Sequence, residues 1–406
     1  MKNNWKKQTV MFLTSQTISL FGTSLVQYAI LWHVTLNTQS GLMMMILIIC
    51  GFLPTFFLSP FAGVWADRFD RKKLIIISDA MIALTTLILA ILFIMGYDAL
   101  WLLFVMSAFR AVGTAVQTPA VGAFIPQFVP EDKLMKVNGI NGSFQSMVTL
   151  ISPMASGALL TVASLEAIFM VDVVTAIVAI LVLFILHVPV HAKALERHKL
   201  DYFVDLKEGM RYIKNHDYIR KFFTFCALFF FLVSPLAFLS PLQVARSFGS
   251  DVWRLTATEI TFSIGMIIGG LIMATWGGFR NRIHTITFAT MSTGVCALAM
   301  GMVPLFWIYL FFMGLSGVVL PLFTTPFTVL LQEKVEEAFL GRVFGVYGMI
   351  SGSMMPFGML VFGPIADVIA IEWLLIGTGL LMFFQGFLLL GSKTLIEAGK
   401  LLADKK

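Results

Sequence analysis

The sequence predicts an all-α polytopic membrane protein, with twelve transmembrane helices in two six-helix pseudo-repeats. Three observations predict it. Of the 406 residues, 58% are hydrophobic and only 12% are charged, whereas a soluble domain has about 25% charged residues. The apolar residues form runs of about 20, the length that a helix needs to cross a bilayer. Basic residues are largely confined to alternate loops, as expected when positive charge stays in the cytoplasm.

The twelve predicted spans follow one another with mostly short connections. They cover 9–35, 42–66, 74–95, 100–121, 138–163, 166–188, 222–244, 257–278, 283–303, 305–331, 342–365 and 370–392. One long polar segment, 189–221, is predicted to be a cytoplasmic linker. It separates an N-terminal six-helix bundle (1–188) from a C-terminal six-helix bundle with a short cytoplasmic tail (222–406). The linker pattern over 201–216 predicts an amphipathic helix at the membrane surface.

The distribution of basic residues sets the predicted orientation. All but three of the 28 Lys and Arg residues lie in the N-terminus, the loops after even-numbered spans, the linker or the C-terminus; the exceptions are Arg110, Arg246 and Arg254. The sequence therefore predicts a multi-pass cell-membrane protein with both termini in the cytoplasm. The acids Glu259, Asp367 and Glu372 are expected to be solvated at the edges of outer loops.

Two short internal matches support related halves. A shift of 214 residues places Asp67-Arg68 on Asn281-Arg282, and a shift of 207 places Thr118-Pro119 on Thr325-Pro326. Duplicated halves are typical of transporters whose substrate site lies near the membrane midplane.

The loop GVWADRFDRKK (63–73) places mixed charge between two apolar spans. It resembles the major facilitator superfamily signature Gly-x-x-x-Asp-Arg-x-Gly-Arg-Arg/Lys, with matches at Gly63, Asp67, Arg68, Arg71 and Lys72 and with Asp70 in place of the second glycine. A purely basic topology anchor would not need Gly63 or Asp67. A turn with positive φ would accept Asp70 less readily than glycine, so the loop shape stays open at this point.

The resemblance implies alternating access, with this loop acting as a conformational latch. Asp67 would lie at the positive end of the eleventh span, near Gly341-Arg342. Arg68 and Arg71 would pair with acids across the interface between the halves, only while the cytoplasmic side is closed. The second copy has Asn281 beside Arg282 and is expected to form a weaker latch.

Three ionisable residues inside the spans are the candidates for proton coupling. Arg110 lies near the centre of span four, where a charge costs at least ~2.5–3.5 kcal/mol and faces the protein interior or water. It resembles the span-four arginine that the superfamily uses in proton coupling; the alternative is a structural arginine bonded to carbonyl oxygens. Asp79 and Asp172 lie inside spans three and six. Each is either a proton carrier or a structural hydrogen-bonding group.

Span five contains SPMASG (152–157), where exporters of this superfamily carry Gly-Pro-x-x-Gly-Gly. Ser152, Pro153, Ser156 and Gly157 resemble a version with small residues exchanged for one another. The pattern suggests export, and ordinary small-residue packing explains it nearly as well. By family analogy, spans one, four, seven and ten line the substrate cavity. The candidate cavity residues are few, which favours a hydrophobic substrate: Gln16, Gln27, Tyr28 and Gln117.

Several segments together resemble the macrolide-efflux branch of drug:proton antiporters. They are ADRFDRKK with Asp79-Ala80 after it, Arg110 with TPA (118–120), VPEDKL (129–134), GRVFG (341–345) and GPIAD (363–367). The implied function is export of amphipathic drugs, macrolide-type antibiotics above all, by proton antiport. The alternatives are an importer or facilitator of a polar metabolite, and an exporter of tetracycline-type or siderophore-type substrates.

The sequence argues against enzymatic activity. It has no HExxH, GxSxG or Walker lysine motif and no metal-spaced set of Cys and His, so neither a cofactor nor a metal site is expected. The expected partners are a small amphipathic substrate, protons and the lipid bilayer, with no nucleic acid. We expect a monomer and leave open whether an ATPase partner assists.

Overall fold

A computed structural model describes residues 5–186 and 202–400, apart from the side chains of residues 67, 202–206 and 337–338. These regions are built of helices. They are α1 Trp5–Thr38, α2 Gly41–Arg68, α3 Arg71–Ile94, α4 Leu100–Phe124, α5 Glu131–Val162, α6 Leu165–Ile185, α7 Tyr202–Asn215, α8 Asp217–Ser234, α9 Ser240–Ser247, α10 Val252–Trp276, α11 Arg282–Met302, α12 Phe306–Lys334, α13 Glu337–Ile365, α14 Ile371–Gly391 and α15 Lys393–Ala398.

Within that described part, twelve helical segments are long and apolar enough to cross a membrane, which confirms the predicted number of spans. Their ends differ from the predicted ends by a few residues. For example, α5 begins at Glu131 rather than 138, because acidic residues in a first turn favour a helix N-terminus. Span seven is composite: a π-helical turn over Pro235–Leu239 joins α8 to α9. Pro235 lacks the N–H that regular helical bonding needs, so the turn widens there.

The amphipathic helix expected in the linker is present as α7, which packs on the start of α13. Arg342 Nη2 lies 3.2 Å from Glu208 Oε2. The rings of Tyr212 and Phe339 stack with their centroids 4.6 Å apart. Residues 187–201, which include linker positions 189–201, lie outside the described residues. Linker positions 217–221 form the start of α8.

The chain forms two compact units. Unit one contains Met1–Asn37 and Ile46–Lys199, and unit two contains Thr38–Met45 and Leu200–Lys406. The boundary therefore runs through α2, whose first five residues belong to unit two.

Unit one is built around α3, which packs against α4 and α6. An aromatic cluster fills the end where α1 and α3 begin: Phe12, Phe124 and Phe128 have ring centroids 5.1–5.6 Å apart. Polar side chains are also buried between these helices, and they form the candidate site.

Unit two relies on closely paired helices, α11 with α14 and α10 with α12. Gly269 of α10 lies directly against the backbone of Val318, so that a Cβ at this position would overlap the Val318 carbonyl oxygen. Small residues give this close approach in membrane helices because their backbones can come together. Large apolar side chains on the outside of both units, such as Phe57 and Phe311, are exposed, as expected for surfaces that meet lipid acyl chains.

Candidate functional site

The most unusual part of unit one is a set of charged and polar side chains buried among transmembrane helices. Arg110, Asp79 and Asp172 are 6%, 1% and 1% exposed. Because a charge inside a bilayer is costly, such residues normally pair with one another and have a functional role. The structure brings all three into the interior of one helix bundle.

The first layer of this site is an ion pair between α4 and α6. Arg110 Nη1 lies 2.5 Å from Asp172 Oδ2. The second Arg110 nitrogen, Nη2, donates to the Thr23 carbonyl oxygen at 3.1 Å. Arg110 thus takes part both in an ion pair and in the carbonyl bonding that a structural role would require.

Asp172 accepts hydrogen bonds on both carboxylate oxygens. The Thr23 hydroxyl donates to Oδ1 at 3.2 Å, and the Thr86 hydroxyl donates to Oδ2 at 2.8 Å. Arg110 also donates to the Thr86 hydroxyl. Charge-assisted bonds of this kind are shorter and stronger than neutral ones, so this layer binds the Asp172 carboxyl group firmly to the guanidinium of Arg110.

The second layer surrounds Asp79 and contains no cation. The Asp79 Oδ1 atom accepts a bond from the Ser19 hydroxyl at 3.2 Å and another from Gln117 Nε2. Its Oδ2 atom is buried with no hydrogen-bond partner in the described part of the chain. Gln16 Nε2 is also buried and unpaired there, although Gln16 lies close enough to interact with the Asp79 carboxyl group.

The two layers are stacked along the bundle with matched spacing on three helices. The pairs Gln16 and Thr23 on α1, Asp79 and Thr86 on α3, and Arg110 and Gln117 on α4 are each seven residues apart. Seven residues are two helical turns, or about 10 Å along the axis. The site is therefore a polar column through the interior of unit one, with an ion pair at one level and an unpaired carboxyl group at the other.

The sequence-predicted cavity residues divide into two groups. Gln16 and Gln117 belong to the Asp79 layer. Gln27 is exposed, and Tyr28 packs on Trp32 with ring centroids 5.7 Å apart. The structure therefore does not bring these four residues together into one cavity lining.

The small residues of α5 pack against α1. Ser152, Pro153, Ser156 and Gly157 are all buried, and the Ser156 hydroxyl donates to the Leu25 carbonyl oxygen at 3.1 Å. This close contact is compatible with both interpretations of the SPMASG segment, exporter motif and ordinary packing.

In the loop after α2, Asp70 takes the place of the signature glycine without positive φ. It has φ −60° and caps α3 by accepting from the Lys72 N–H at 3.0 Å. A side-chain oxygen at the N-cap satisfies N–H groups that a helix leaves free. The substitution therefore exchanges a flexible turn for a capped helix start.

The basic residues of this loop bind the ends of neighbouring helices in unit one. Arg71 donates to the carbonyl oxygens of Ala66 at 2.8 Å and Ala123 at 2.7 Å. Lys72 Nζ donates to the Leu186 carbonyl oxygen at 2.8 Å. Cations at helix C-termini are favourable because the carbonyl ends carry partial negative charge. Gly63 lies inside α2 and Arg68 is exposed at its end; the Asp67 side chain lies outside the described residues.

The loop before α11, which is the second copy, makes the same contacts as the loop before α3. The two loops match at a different residue shift from the shift of 214 that the sequence suggested. Asn281 caps α11 by accepting from the Ile283 N–H at 2.9 Å, as Asp70 caps α3. Arg282 donates to the Gly277 carbonyl oxygen at 3.3 Å, five residues earlier, as Arg71 does to Ala66. The structural match is thus Asp70-Arg71 with Asn281-Arg282, a shift of 211. The match of Asn281 with Asp67 is corrected.

At the other end of unit two, a group that we call the outer clamp joins the start of α2 to the ends of α9 and α13. Asp367 accepts from the Ser40 hydroxyl at 2.7 Å and from the N–H groups of Gly41 at 2.7 Å and Leu42 at 3.0 Å. Arg246 Nη2 lies 2.8 Å from Asp367 Oδ1. Partial burial opposes ionisation of Asp367, but these hydrogen bonds outweigh it and hold its pKa below the usual value.

Sequence reasoning missed the hydroxyl groups of the site, although the sequence contained a signal for them. Gln16, Ser19 and Thr23 recur at helical spacing on α1, which places them on one face. The expectation that Glu259 is solvated in an outer loop is wrong, because α10 begins at Val252 and Glu259 lies about two turns inside it, only partly exposed. Among the described residues, no group of His, Cys, Asp and Glu is arranged to hold a metal ion.

Among the described residues, twelve helical segments could cross a membrane, and unit one contains a column of buried polar side chains, so the architecture is that of a polytopic membrane protein. The model of the Major Facilitator Superfamily matches residues 12–359, and the chain belongs to this superfamily. It is a transporter family, so the protein is not an enzyme.

Comparison with individual proteins gives two bacterial relatives that are both named macrolide efflux protein A, and a solved structure with a similar fold. The chain is 30% identical over 383 residues to Macrolide efflux protein A of Streptococcus pyogenes, covering 94% of this chain and 95% of the relative. It is 32% identical over 311 residues to Macrolide efflux protein A of Enterococcus faecalis, covering 76% and 96%. Its fold is similar to a solved bacterial homologue of the human lysosomal transporter Spinster, with TM-score 0.72, 11% identity, and coverage of 99% and 100%.

Proposed function

We propose that this protein is a secondary active efflux transporter that exports amphipathic drugs, macrolide-type antibiotics above all, in exchange for protons. The observation that carries the proposal is the buried column of unit one, in which Arg110 pairs with Asp172 while Asp79 has no cationic partner among the described residues. The similarity to two macrolide efflux proteins, over 94% and 76% of this chain, supports the substrate class.

The column supports proton coupling through its charges. A guanidinium does not release its proton in a protein, so the titrating groups are the carboxyl groups. The affinity of a buried carboxyl group for protons depends on the charges and the water around it. In this scheme Arg110, Asp79 and Asp172 form the coupling site, and alternating access changes which side of the membrane supplies water to it.

The latch residues contribute by biasing the equilibrium between the two states. We assign this role to Gly63, Asp67, Arg68, Arg71 and Lys72, with Asn281 and Arg282 as the second copy. In the same proposal the small residues of α5 allow helix movement, and the termini are cytoplasmic. Gln16, Gln27, Tyr28 and Gln117 are the candidate substrate contacts.

The substrate class is tested with a susceptibility panel in a drug-sensitive host that lacks its own efflux pumps. The panel contains a macrolide, a tetracycline and a lipophilic cation, and a siderophore export assay is run beside it. We expect the wild-type chain to raise the inhibitory concentration of the macrolide most. Export of the tetracycline or the siderophore alone would contradict the macrolide assignment.

Coupling is tested with two variants of Arg110 in everted membrane vesicles with an imposed pH gradient. Arg110→Ala removes both charge and geometry, and Arg110→Lys keeps the charge without the planar fork. We expect both to abolish accumulation of a radiolabelled macrolide, with Lys retaining more binding than Ala. Arg254→Ala, which removes a partly exposed ion pair with Asp251, is the matched control and should transport normally. Gradient-dependent accumulation by Arg110→Ala would contradict the coupling role.

A further inference from the structure

We propose that Asp79 is the group that binds and releases the exchanged proton, and that Asp172 stays ionised throughout as the partner of Arg110. This inference rests on the proposed proton antiport and divides its charged residues between two separate tasks. The division follows from the contacts that each carboxyl group makes.

Asp172 is poorly suited to take up a proton. Both of its oxygens already accept bonds, from Thr23 at 3.2 Å and from Thr86 and Arg110 at 2.8 and 2.5 Å. Protonation would remove the only anion that pairs with Arg110 in the described part of the chain. A buried cation left without its anion is strongly unfavourable, so the pair is expected to persist through the transport cycle.

Asp79 has the opposite environment. It is 1% exposed, its Oδ2 atom has no donor, and only neutral groups contact it in the described residues. Burial without a charged partner favours the neutral form of a carboxyl group. When water reaches it from one side of the membrane, a hydronium ion gives one proton to Oδ2. Release to water on the other side restores the anion, so Asp79 carries one proton per cycle.

The two glutamines beside Asp79 can serve both of its protonation states. An amide group offers both hydrogen-bond donors and an acceptor. Gln117 Nε2 already donates to Oδ1, and Gln16 Nε2 has no other partner. With the carboxylate, Gln16 donates to Oδ2; with the neutral acid, rotation of its amide presents an oxygen to the new O–H. An arginine or lysine in this position would favour the anion alone.

The charged groups that face Asp79 from the packed helices do not alter this conclusion. Helix α1 presents the neutral Gln16 and Ser19, α4 presents Gln117 with Arg110 about 10 Å further along, and α6 presents Asp172. Because Arg110 and Asp172 are paired, they act on Asp79 as a nearly neutral dipole. The Asp79 carboxyl group can therefore gain or lose a proton without breaking the Arg110–Asp172 ion pair.

The proton site is tested directly by infrared difference spectroscopy of the purified full-length protein during a pH titration. A protonated carboxyl group in an apolar site gives a C=O stretching band that is distinct from carboxylate bands. We expect such a band in the wild type, its loss in Asp79→Asn and a shifted band in Asp79→Glu. Asp98→Asn removes an exposed loop carboxylate and should leave the band unchanged.

A band that persists unchanged in Asp79→Asn, or a wild type with no titrating buried carboxyl group, would overturn the inference. If Asp79→Asn fails to fold, the frequency shift in Asp79→Glu decides the same question: a shift supports the assignment and an unshifted band overturns it.

Transport by the same variants separates this inference from the proposed function. Asp79→Asn resembles the protonated state, so we expect it to exchange labelled for unlabelled macrolide across vesicles but to lose accumulation driven by a pH gradient. Gradient-driven accumulation in Asp79→Asn would reject the Asp79 assignment while antiport stands. A wild type that shows the Asp79 band but no gradient-driven transport would reject antiport instead.

Discussion

Removal of the Asp172 carboxylate is the perturbation whose energetic effect follows most directly from the structure. Asp172→Ala leaves Arg110 6% exposed and without its anion at 2.5 Å. It also removes the acceptor for the Thr23 hydroxyl. Breaking one side of a buried ion pair costs about 3–5 kcal/mol. Proteins are stable by only about 5–15 kcal/mol, so the loss is a large share of the total.

Replacing both partners of the pair removes the buried cation, Arg110, that Asp172→Ala leaves without an anion. The double variant Arg110→Met, Asp172→Leu substitutes apolar side chains of similar length, and such replacements are often neutral or stabilising. We therefore expect the double variant to be more stable than Asp172→Ala while remaining inactive in gradient-driven transport. Stability and coupling would then be separated in one pair of proteins.

The assay is reversible unfolding in mixed detergent micelles, followed by tryptophan fluorescence and helical circular dichroism. Asp251→Ala, which removes an exposed carboxylate from a partly exposed pair with Arg254, is the control and should cost no more than about 1 kcal/mol. A loss below about 1 kcal/mol for Asp172→Ala, or a double variant as unstable as the single one, would refute the buried-pair explanation.

Three further predictions address packing, pH and orientation. Gly269→Ala should destabilise unit two by about 1–3 kcal/mol in the same unfolding assay, because the new Cβ meets the Val318 backbone. The control Gly270→Ala has nothing within 4 Å of the new Cβ and should be neutral or slightly stabilising. The lowered pKa of Asp367 predicts that the outer clamp stabilises the protein above pH ~3.9, the ordinary Asp value. This contribution is lost as the pH falls through the lower folded-state pKa. Asp367→Asn should therefore remove this acid-dependent step from the pH profile of thermal unfolding. In a cysteine-free background, Lys214→Cys should react with an impermeant maleimide only after permeabilisation, whereas Asp251→Cys should react in intact cells. The reverse pattern would contradict the positive-inside orientation.

The number of spans could be predicted from the sequence because hydropathy and loop charge are local properties. The interior placement of Arg110 followed from the cost of a charge in lipid, and the structure confirms that it is buried. The choice of its partner did not follow, since Asp79 and Asp172 both lie inside spans. Only the packing of α3 against both α4 and α6 decides that Asp172 is the acid at 2.5 Å.

Other features were missed for physical reasons that the structure makes clear. Asp70 was compared with glycine on the basis of φ, but its side-chain oxygen caps α3 and the turn needs no positive φ. The span predicted to begin at 257 places Glu259 at its edge, whereas α10 begins at Val252 and places Glu259 about two turns inside the helix. The outer clamp joins residues more than 300 positions apart, Ser40 and Asp367, and no local pattern contains that information.

The most direct test of proton-coupled macrolide efflux is uptake into proteoliposomes that contain the purified wild-type protein and no other transporter. A pH gradient, acidic inside, is imposed without ATP, and accumulation of a radiolabelled macrolide is followed together with the internal pH. The account predicts that the macrolide accumulates against its gradient as protons leave, and that a protonophore abolishes both. Equal macrolide levels in liposomes with and without the protein under the same pH gradient, or accumulation that requires ATP, would contradict it.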